Sequence, residues 1–522
     1  MAEEKRQRLE ESWAHQYRVH ALPLIDEERF RRYFHEDDGR PNKSVRLVVS
    51  ALLLKEIFDL TDRDTLEQLE WNAAWHYALD VEPEAAHTCQ KTLHNFRAKV
   101  LGDDQGADLF EQTTARLIEA AAVGTRRQRM DSTHIVSNIK LLSRLGLFIQ
   151  TMTGFLEVLR KVHPRLFTKV PEALCERYLD REGYFADAKS SEAPRRLSQA
   201  ALDVHALVTL YGEHRTVAAM PEYELLARLY KDQCVPPEEA KLTLSEAEAP
   251  AQIELQKSPP SSSLQSPSDP DVTYGHKGKG YEVQIAETCD PDNAFQVVTA
   301  VSVNAANESD QHQAMAVLEQ TKRTCGAPPE MMHTDAGYGS GENILAAREL
   351  GTELLAPIGA KASKIHLPLV DFTIDFAEDR VLRCPAGKSP SHHSTSKDER
   401  LTLAWFPREI CDACPLDAQC PTEKRRDHRV LSWADTDIAT ALRRFEQETP
   451  HFKELHKIRS GIEATNSEFK RAHGLRKLSV RRRPRVNLAV HLKALAVNFK
   501  RYVVHLTETA LAAAPPREPC AC

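Results

Sequence analysis

Close to its C-terminus the chain reads His456-Lys-Ile-Arg459-Ser-Gly-Ile-Glu463-Ala-Thr-Asn-Ser-Glu-Phe-Lys470. On a helix, at about 100° per residue, His456, Arg459, Glu463 and Lys470 fall within roughly 60° of arc. One face then presents a carboxylate among cations. That grouping suits metal-assisted phosphoryl transfer: a carboxylate can hold a divalent ion while Arg and Lys, one and two turns away, hold the phosphates of a polyanion. Glu468 competes for the same role but lies roughly 140° around the helix from Glu463. More carboxylates must come from elsewhere in the chain.

Two acids have the right contexts. Arg129-Met-Asp131-Ser-Thr-His-Ile-Val-Ser-Asn-Ile is short and rich in β-branched residues, which predicts a strand with Asp131 near its beginning. Glu330-Met-Met-His-Thr-Asp335 predicts a brief strand with Asp335 at its end, before a Gly337-Tyr-Gly turn. A single Asp is usually a cap or a turn residue. Three acids gathered at strand ends could instead hold two hard divalent ions, Mg2+ or Mn2+, one activating an attacking oxygen and the other stabilising a leaving one.

The elements that must position these acids have a readable order. Residues 44–100 have three short helical stretches, the second opening with a Thr61/Asp64 pair that resembles a capping box with the shorter acid. Such a module fits a helix-turn-helix or a plain bundle equally well. Tyr281-Glu-Val-Gln-Ile-Ala-Glu and Phe295-Gln-Val-Val-Thr-Ala-Val-Ser-Val303 have period two around an Asp290-Pro-Asp-Asn turn, which predicts a hairpin. Helices follow at 309–324 and 341–350, and a further strand at 353–358. Together these make a mixed α/β sheet. A helical insert over 141–257, ending before a Ser/Pro linker at 258–271 that is too polar to order itself, divides this sheet; a Cys-rich insert over 360–450 divides it again. The last amphipathic helix is expected at 484–504, with a disordered tail over 505–522.

Charge is segregated. The whole chain has a net charge of −7, yet residues 451–501 hold 14 Lys and Arg against 3 Glu, or +11, leaving −18 for the rest. Arg471, Arg476, Lys477, Arg481, Arg482, Arg483 and Arg485 crowd just after Glu463, a pattern suited to phosphate contacts that are salt-sensitive and largely independent of sequence. A solvated basic face is the plain alternative. With 41% hydrophobic and 28% charged residues, and no apolar run of about 18, the composition is that of a globular protein outside the membrane. No secretory signal is visible at Met1-Ala-Glu-Glu-Lys-Arg, so a cytoplasmic location is expected. Eleven cysteines are present, four of them grouped as Cys384, Cys411, Cys414 and Cys420. Four thiolates can close a tetrahedral Zn2+ site, although the wide Cys414-to-Cys420 spacing also suits a reduced, buried cluster.

Asp131-Ser-Thr, the hairpin Gly280-Tyr-Glu-Val-Gln-Ile-Ala, the turn His333-Thr-Asp-Ala-Gly-Tyr-Gly and Arg459-x3-Glu463-x6-Lys470 occur in that order. This set resembles the DDE transposases of bacterial insertion sequences. The resemblance implies a ribonuclease-H-like catalytic domain assembled from 125–140, 272–358 and 451–504, behind an all-α, DNA-end-binding N-terminal domain over 1–120. It implies that Asp131, Asp335 and Glu463 are the metal-binding triad. Arg459 and Lys470 then belong to a Tyr-Arg-Glu-Lys signature in which His456 stands where Tyr is usual. The implied activity is cleavage at the ends of an element and joining of its 3′-hydroxyls to target DNA. The implied partner is double-stranded DNA, held by a dimer or larger synaptic assembly near the nucleoid. A stand-alone nuclease would share the acids without end recognition, and a domesticated DNA-binding protein would not need them.

Overall fold

The computed structural model describes residues 3–28, 44–99, 105–180, 192–235, 253–359, 366–396, 398 and 400–513. Parts of the expected N-terminal domain, of both inserts and of the tail therefore lie outside the described residues.

The alternating sequences pair as expected. Strand β1 (Arg127–Ile135) is central, followed by the short β2 (Thr273–Gly275), then β3 (Gly278–Thr288), β4 (Val298–Ala305), β5 (Met331–His333) and β6 (Glu353–Leu355). β3 runs antiparallel to both β1 and β4, with Asp131 opposite Ile285 and Tyr281 opposite Ala305. On its other edge β1 is parallel to β5, which is parallel to β6. Across the sheet the order is thus β4, β3, β1, β5, β6, with β2 extending the end of β3. Asp131 falls fifth in its strand, further in than its sequence suggested.

Each face of the sheet has its own core, as strict alternation demands. Ile135, Tyr281, Val283, Ile285, Val301 and Val303 join a large cluster with the C-terminal helix (Arg483–Ala513) and the N-terminal helices. Met130, Ala286 and Ala300 pack the other face against the helix Ala314–Cys325. The N-terminal helix Val45–Ile57 is buried along almost its whole length, from Leu47 to Leu54, because it lies beneath the C-terminal helix. The Thr61/Asp64 capping box is formed in both directions, at 3.2 and 3.3 Å. The helical insert (helices Arg144–Val162, Ala193–Tyr211 and Pro221–Gln233 chief among them) has a separate core around Phe148, Phe155 and Leu207. The Cys-rich segment forms sheets of its own, including four antiparallel strands built on Thr402–Pro407 and His428–Trp433.

Three expectations need correction. The Ser/Pro tract is packed: Ser263, Leu264, Ser266 and Asp269 are buried, and Asp269 accepts from Ser137 at 2.6 Å and Tyr281 at 2.9 Å. Composition could not reveal this, because the stabilising partners, Ser137 just past β1 and Tyr281 on β3, lie outside the tract. The last helix continues past 504 to Ala513, so the tail as expected is partly helical, and only 514–522 fall outside the described residues. The stretch from His456 to Lys470 is not one helix either: Pro450–His456 gives way to 3-10 turns over Lys457–Gly461 before α-helix resumes at Ile462–Ala472.

Asp269→Ala strips the buried hydroxyls of Ser137 and Tyr281 of their acceptor, so it should lower unfolding stability by roughly 1–3 kcal/mol. Urea denaturation of the variant against the parent measures this, and an unchanged midpoint would restore the linker reading.

Candidate active site

The site follows from where strands stop. β1 pairs with β5 only through Arg129, opposite His333. Two residues beyond, Asp131 therefore has a strand on one side only, and Asp335 turns away from the end of β5 beside it. Into this notch the 3-10 turns bring Arg459. Its guanidinium stands 3.3 Å from Asp131, 3.9 Å from Asp335 and 3.4 Å from Glu463. Three acids separated by up to 332 positions in the chain thus meet on one cation. Asn466 adds a bond to Asp131 at 3.2 Å.

The three carboxylates differ in setting. Asp131 is largely buried, and that burial raises its pKa; Arg459 pulls the other way and Asp335 adds to the rise. Asp335 is partly exposed and accepts from the Gly337 amide at 2.8 Å, which fixes the turn. Glu463 has 67% of its side chain exposed and projects from the first turn of its helix.

A cavity of about 510 Å³ opens beside these groups, lined in part by Asp131, Asp335 and Arg459. The remaining lining includes residues the sequence reading passed over: His276, Lys277, Glu282 and Asp310. Asp310 accepts from Ser132 at 2.9 Å and from Gln284 at 2.8 Å, and buried Tyr338 donates to Gln284 behind it. Asp310 opens a helix and reads as an ordinary cap residue. Lys277 had a signal in the glycine-flanked run Gly275-His-Lys-Gly-Lys-Gly280, which marks a tight, exposed hairpin tip.

His456, expected to contact DNA, hydrogen-bonds the Thr334 carbonyl at 2.8 Å and stacks on Phe452. Its ring steadies the segment that carries Asp335. The neighbouring His333 is pushed down to about 4, first by burial and then by His456, so it stays neutral beside the site. Lys470 is half-buried; burial and the cations Lys277 and Arg476 lower its pKa, while Glu282 opposes them. Arg471, Arg476, Lys477, Arg481, Arg482 and Arg483 are exposed. Backbone bonds from Val136 to Arg476, from Leu478 to Val136 and from Asn138 to Val480 lay this basic segment along the continuation of β1. Arg481 also donates to the Asn138 carbonyl, and Arg483 to that of Val303 at 3.2 Å. Glu468 faces away from the cavity, bonded to Lys500 at 3.1 Å and Arg501 at 2.9 Å.

A buried network holds the acid-bearing helix to the sheet. Glu287 on β3 is fully buried and takes Arg129 at 2.7 Å, Arg501 at 2.9 Å and Thr465 at 2.7 Å. Arg129 also donates to the Ile458 carbonyl at 3.0 Å, and it passes so close beneath Gly461 that a Cβ there would collide with its guanidinium.

Cys384, Cys411, Cys414 and Cys420 also converge, lining one small cavity with Thr422 and Arg429. The Lys388 amide donates to the Cys384 sulfur at 3.3 Å, and burial with the neighbouring Cys420 raises the Cys411 thiol. As placed, no group of three or more His, Cys, Asp or Glu side chains among the described residues has metal-cage geometry.

Fold and site together define a mixed α/β protein with a carboxylate-lined cleft behind a helical N-terminal region. Two family models match it: one described as Transposase DDE domain over residues 383–503, the other as Transposase domain (DUF772) over residues 10–99. The two matches support a DDE transposase of an insertion sequence. Neither match reaches Asp131 or Asp335. No curated protein and no solved structure matches the chain. No described helix is long and apolar enough to cross a membrane.

Glu287→Ala leaves Arg129 and Arg501 buried without their carboxylate and should cost roughly 3–5 kcal/mol at pH 7 by denaturant titration; a loss under about 1 kcal/mol would show that the network does not hold the site. Asp131→Asn should act oppositely. A folded-state pKa raised by burial means that ionised Asp131 weakens the fold at neutral pH and that the cost is relieved as pH falls. The metal-free variant should therefore melt at or above the parent at pH 7, with the gap closing toward acid pH; a lower melting temperature at pH 7 would contradict the shift.

Proposed function

We propose that the chain cleaves DNA at the ends of an insertion sequence and joins the freed 3′-hydroxyls to target DNA, with Asp131, Asp335 and Glu463 as the acids that hold Mg2+ or Mn2+. The observation that carries this reading is the meeting of all three carboxylates on Arg459. Their donor chemistry suits a hard divalent ion: Asp131 and Asp335 line the cavity and Glu463 meets them on Arg459, although as placed the three carboxylates do not form a metal cage. Strand order supports a ribonuclease-H-like fold, with three antiparallel strands (β4, β3, β1) continued by two parallel ones (β5, β6).

Bound there, divalent ions would activate the attacking oxygen and stabilise the leaving one. The protein's own groups bind and aim the strand. Arg459, which contacts all three acids, and Lys470, within electrostatic reach of Asp131, are cations for the scissile phosphate. The exposed arginines from Arg471 to Arg483 hold the flanking backbone. In the first step water attacks phosphorus and the bond to the 3′-oxygen breaks, leaving a 3′-hydroxyl and a 5′-phosphate. In the second, that hydroxyl attacks a target phosphodiester, a new bond to the 3′-oxygen forms, and the target strand's own 3′-oxygen leaves as a hydroxyl. Positioning and charge do the catalysis without a covalent protein intermediate. The N-terminal helices are the candidates for recognising the ends, and a dimer or larger assembly would bring two ends together.

The four cysteines are the donor type a structural Zn2+ takes, and all four line one small cavity, where the Cys384 sulfur accepts a backbone N–H.

Asp131→Asn, Asp335→Asn and Glu463→Gln should each reduce strand cleavage at least ~1000-fold while end binding changes less than about threefold; a gel cleavage assay showing parental activity in any one of them would remove that residue from the triad. Elemental analysis of purified protein should find close to one zinc per chain, and a folded, zinc-free preparation would dispose of the cysteine site.

A further inference from the structure

The cavity is lined by a carboxylate that the cleavage chemistry does not use. Glu282 lies on β3 directly opposite His134 of β1 and is only 8% exposed. Its Oε2 has no hydrogen-bond partner, and neither has Nδ1 of His134, which stands 3.8 Å from Oε1. Lys277, on the hairpin tip, is also 3.8 Å from Oε1, outside hydrogen-bonding distance. The strand fixes this arrangement. Gly280, two residues before Glu282 on the same face, has no side chain because a Cβ there would strike the His134 ring and the Ile135 carbonyl. The paired strands hold its backbone, so a buried carboxylate oxygen lines the cavity without a hydrogen-bond donor, its two ion-pair partners standing at 3.8 Å.

A DNA strand offers few donors. Phosphates and sugar oxygens accept; donors are the base amino and imino groups and a terminal hydroxyl. The hydroxyl is needed at Asp131, which lines the same cavity as Glu282, and Lys277 stands near both acids. That shared cavity suits a nucleotide next to the one being cut. We infer that Glu282 reads a base: its Oε2 accepts a hydrogen bond from the exocyclic amino group of a nucleotide flanking the scissile phosphate, while Lys277 and His276 hold the phosphate beside it. Adenine, cytosine and guanine have such a group and thymine does not. This specificity role rests on the proposed cleavage site, but it can fail independently.

The test uses the full chain, Mg2+ and duplexes bearing the terminal sequences that bracket its gene. Each base flanking the scissile phosphate is replaced in turn by thymine and by an analogue whose amino group is exchanged for hydrogen. Parental enzyme should lose cleavage about tenfold at one flanking position with either change, and Glu282→Gln should discriminate less than about threefold there. Lys277→Ala should weaken binding to all duplexes alike and reduce the salt slope by about one, keeping the base preference. The inference is overturned if the parental enzyme is indifferent to amino removal at every flanking position, an arm that needs no variant to fold. It is also overturned if Glu282→Gln keeps the parental preference or loses all substrates equally. Cleavage by Asp131→Asn would instead defeat the underlying site assignment, leaving the base-preference measurement to stand or fall by itself.

Discussion

One buried carboxylate decides where the acids meet. Glu287 is fully shielded from water, and an isolated charge there would be prohibitively costly. Arg129, from the neighbouring strand, and Arg501, from the C-terminal helix, neutralise it, while Thr465 brings in the helix that begins at Ile462. Three elements distant in sequence are thus tied to one point. Because Arg129 also holds the Ile458 carbonyl, the turn bearing Arg459 is fixed two residues from Asp131 on the same strand. Such an arrangement is weak evidence for net stability, since apolar residues of equal volume could pack as well. Its value is geometric: charges with few satisfied alternatives permit one register of helix against sheet.

The same geometry explains which parts of the site were legible in the sequence. Asp131, Asp335 and Glu463 stood out because each sits at a boundary that composition marks: a β-branched run, a glycine turn, a cation-rich helix. The hairpin of β3 and β4 and the Thr61 cap were readable for the same reason, being local. Everything that depends on distant partners was not. The Ser/Pro tract looked disordered because Asp269 has its donors outside it, Ser137 just past β1 and Tyr281 on β3. The break at Lys457–Gly461 was hidden because the residues have helical spacing, and only the Arg129 guanidinium beneath Gly461 makes the tighter turns necessary. Asp310 and Glu282 had no signal, since an acid becomes part of a cavity only when strands align it. The cysteines announced their grouping, whereas the sheet that gathers them did not announce itself.

Charge segregation also changes meaning once partners are known. Of the cations that make residues 451–501 so basic, Lys493 is buried against Glu56, Arg501 against Glu287, and Arg459 is shared by three acids. These serve the fold and the site. The remaining excess is concentrated in the exposed run from Arg471 to Arg485, and backbone bonds to Val136 and Asn138 hold it along the extension of β1. Cations able to hold a polyanion therefore lie beside acids that would repel it. An acid-only cleft would repel a phosphate, and the flanking arginines offset that repulsion over a Debye length of about 8 Å at physiological salt.

The N-terminal helices are bound into this arrangement rather than appended to it. Tyr17 packs edge-on to Phe499, and the Glu56 carboxylate, held below its usual range by Lys493 and Lys55 against the effect of burial, lies under the C-terminal helix. His473, just after the acid-bearing helix, hydrogen-bonds the Glu56 carbonyl at 2.8 Å and so reaches the same point from the other side. The C-terminal helix therefore has Glu56 at Lys493 and Glu287 at Arg501, two helical turns apart, and connects the N-terminal region to the acid cleft through one rigid rod. Two buried ion pairs, Lys493 with Glu56 and Arg501 with Glu287, thus join the N-terminal helices, the C-terminal helix and the sheet into one packed unit.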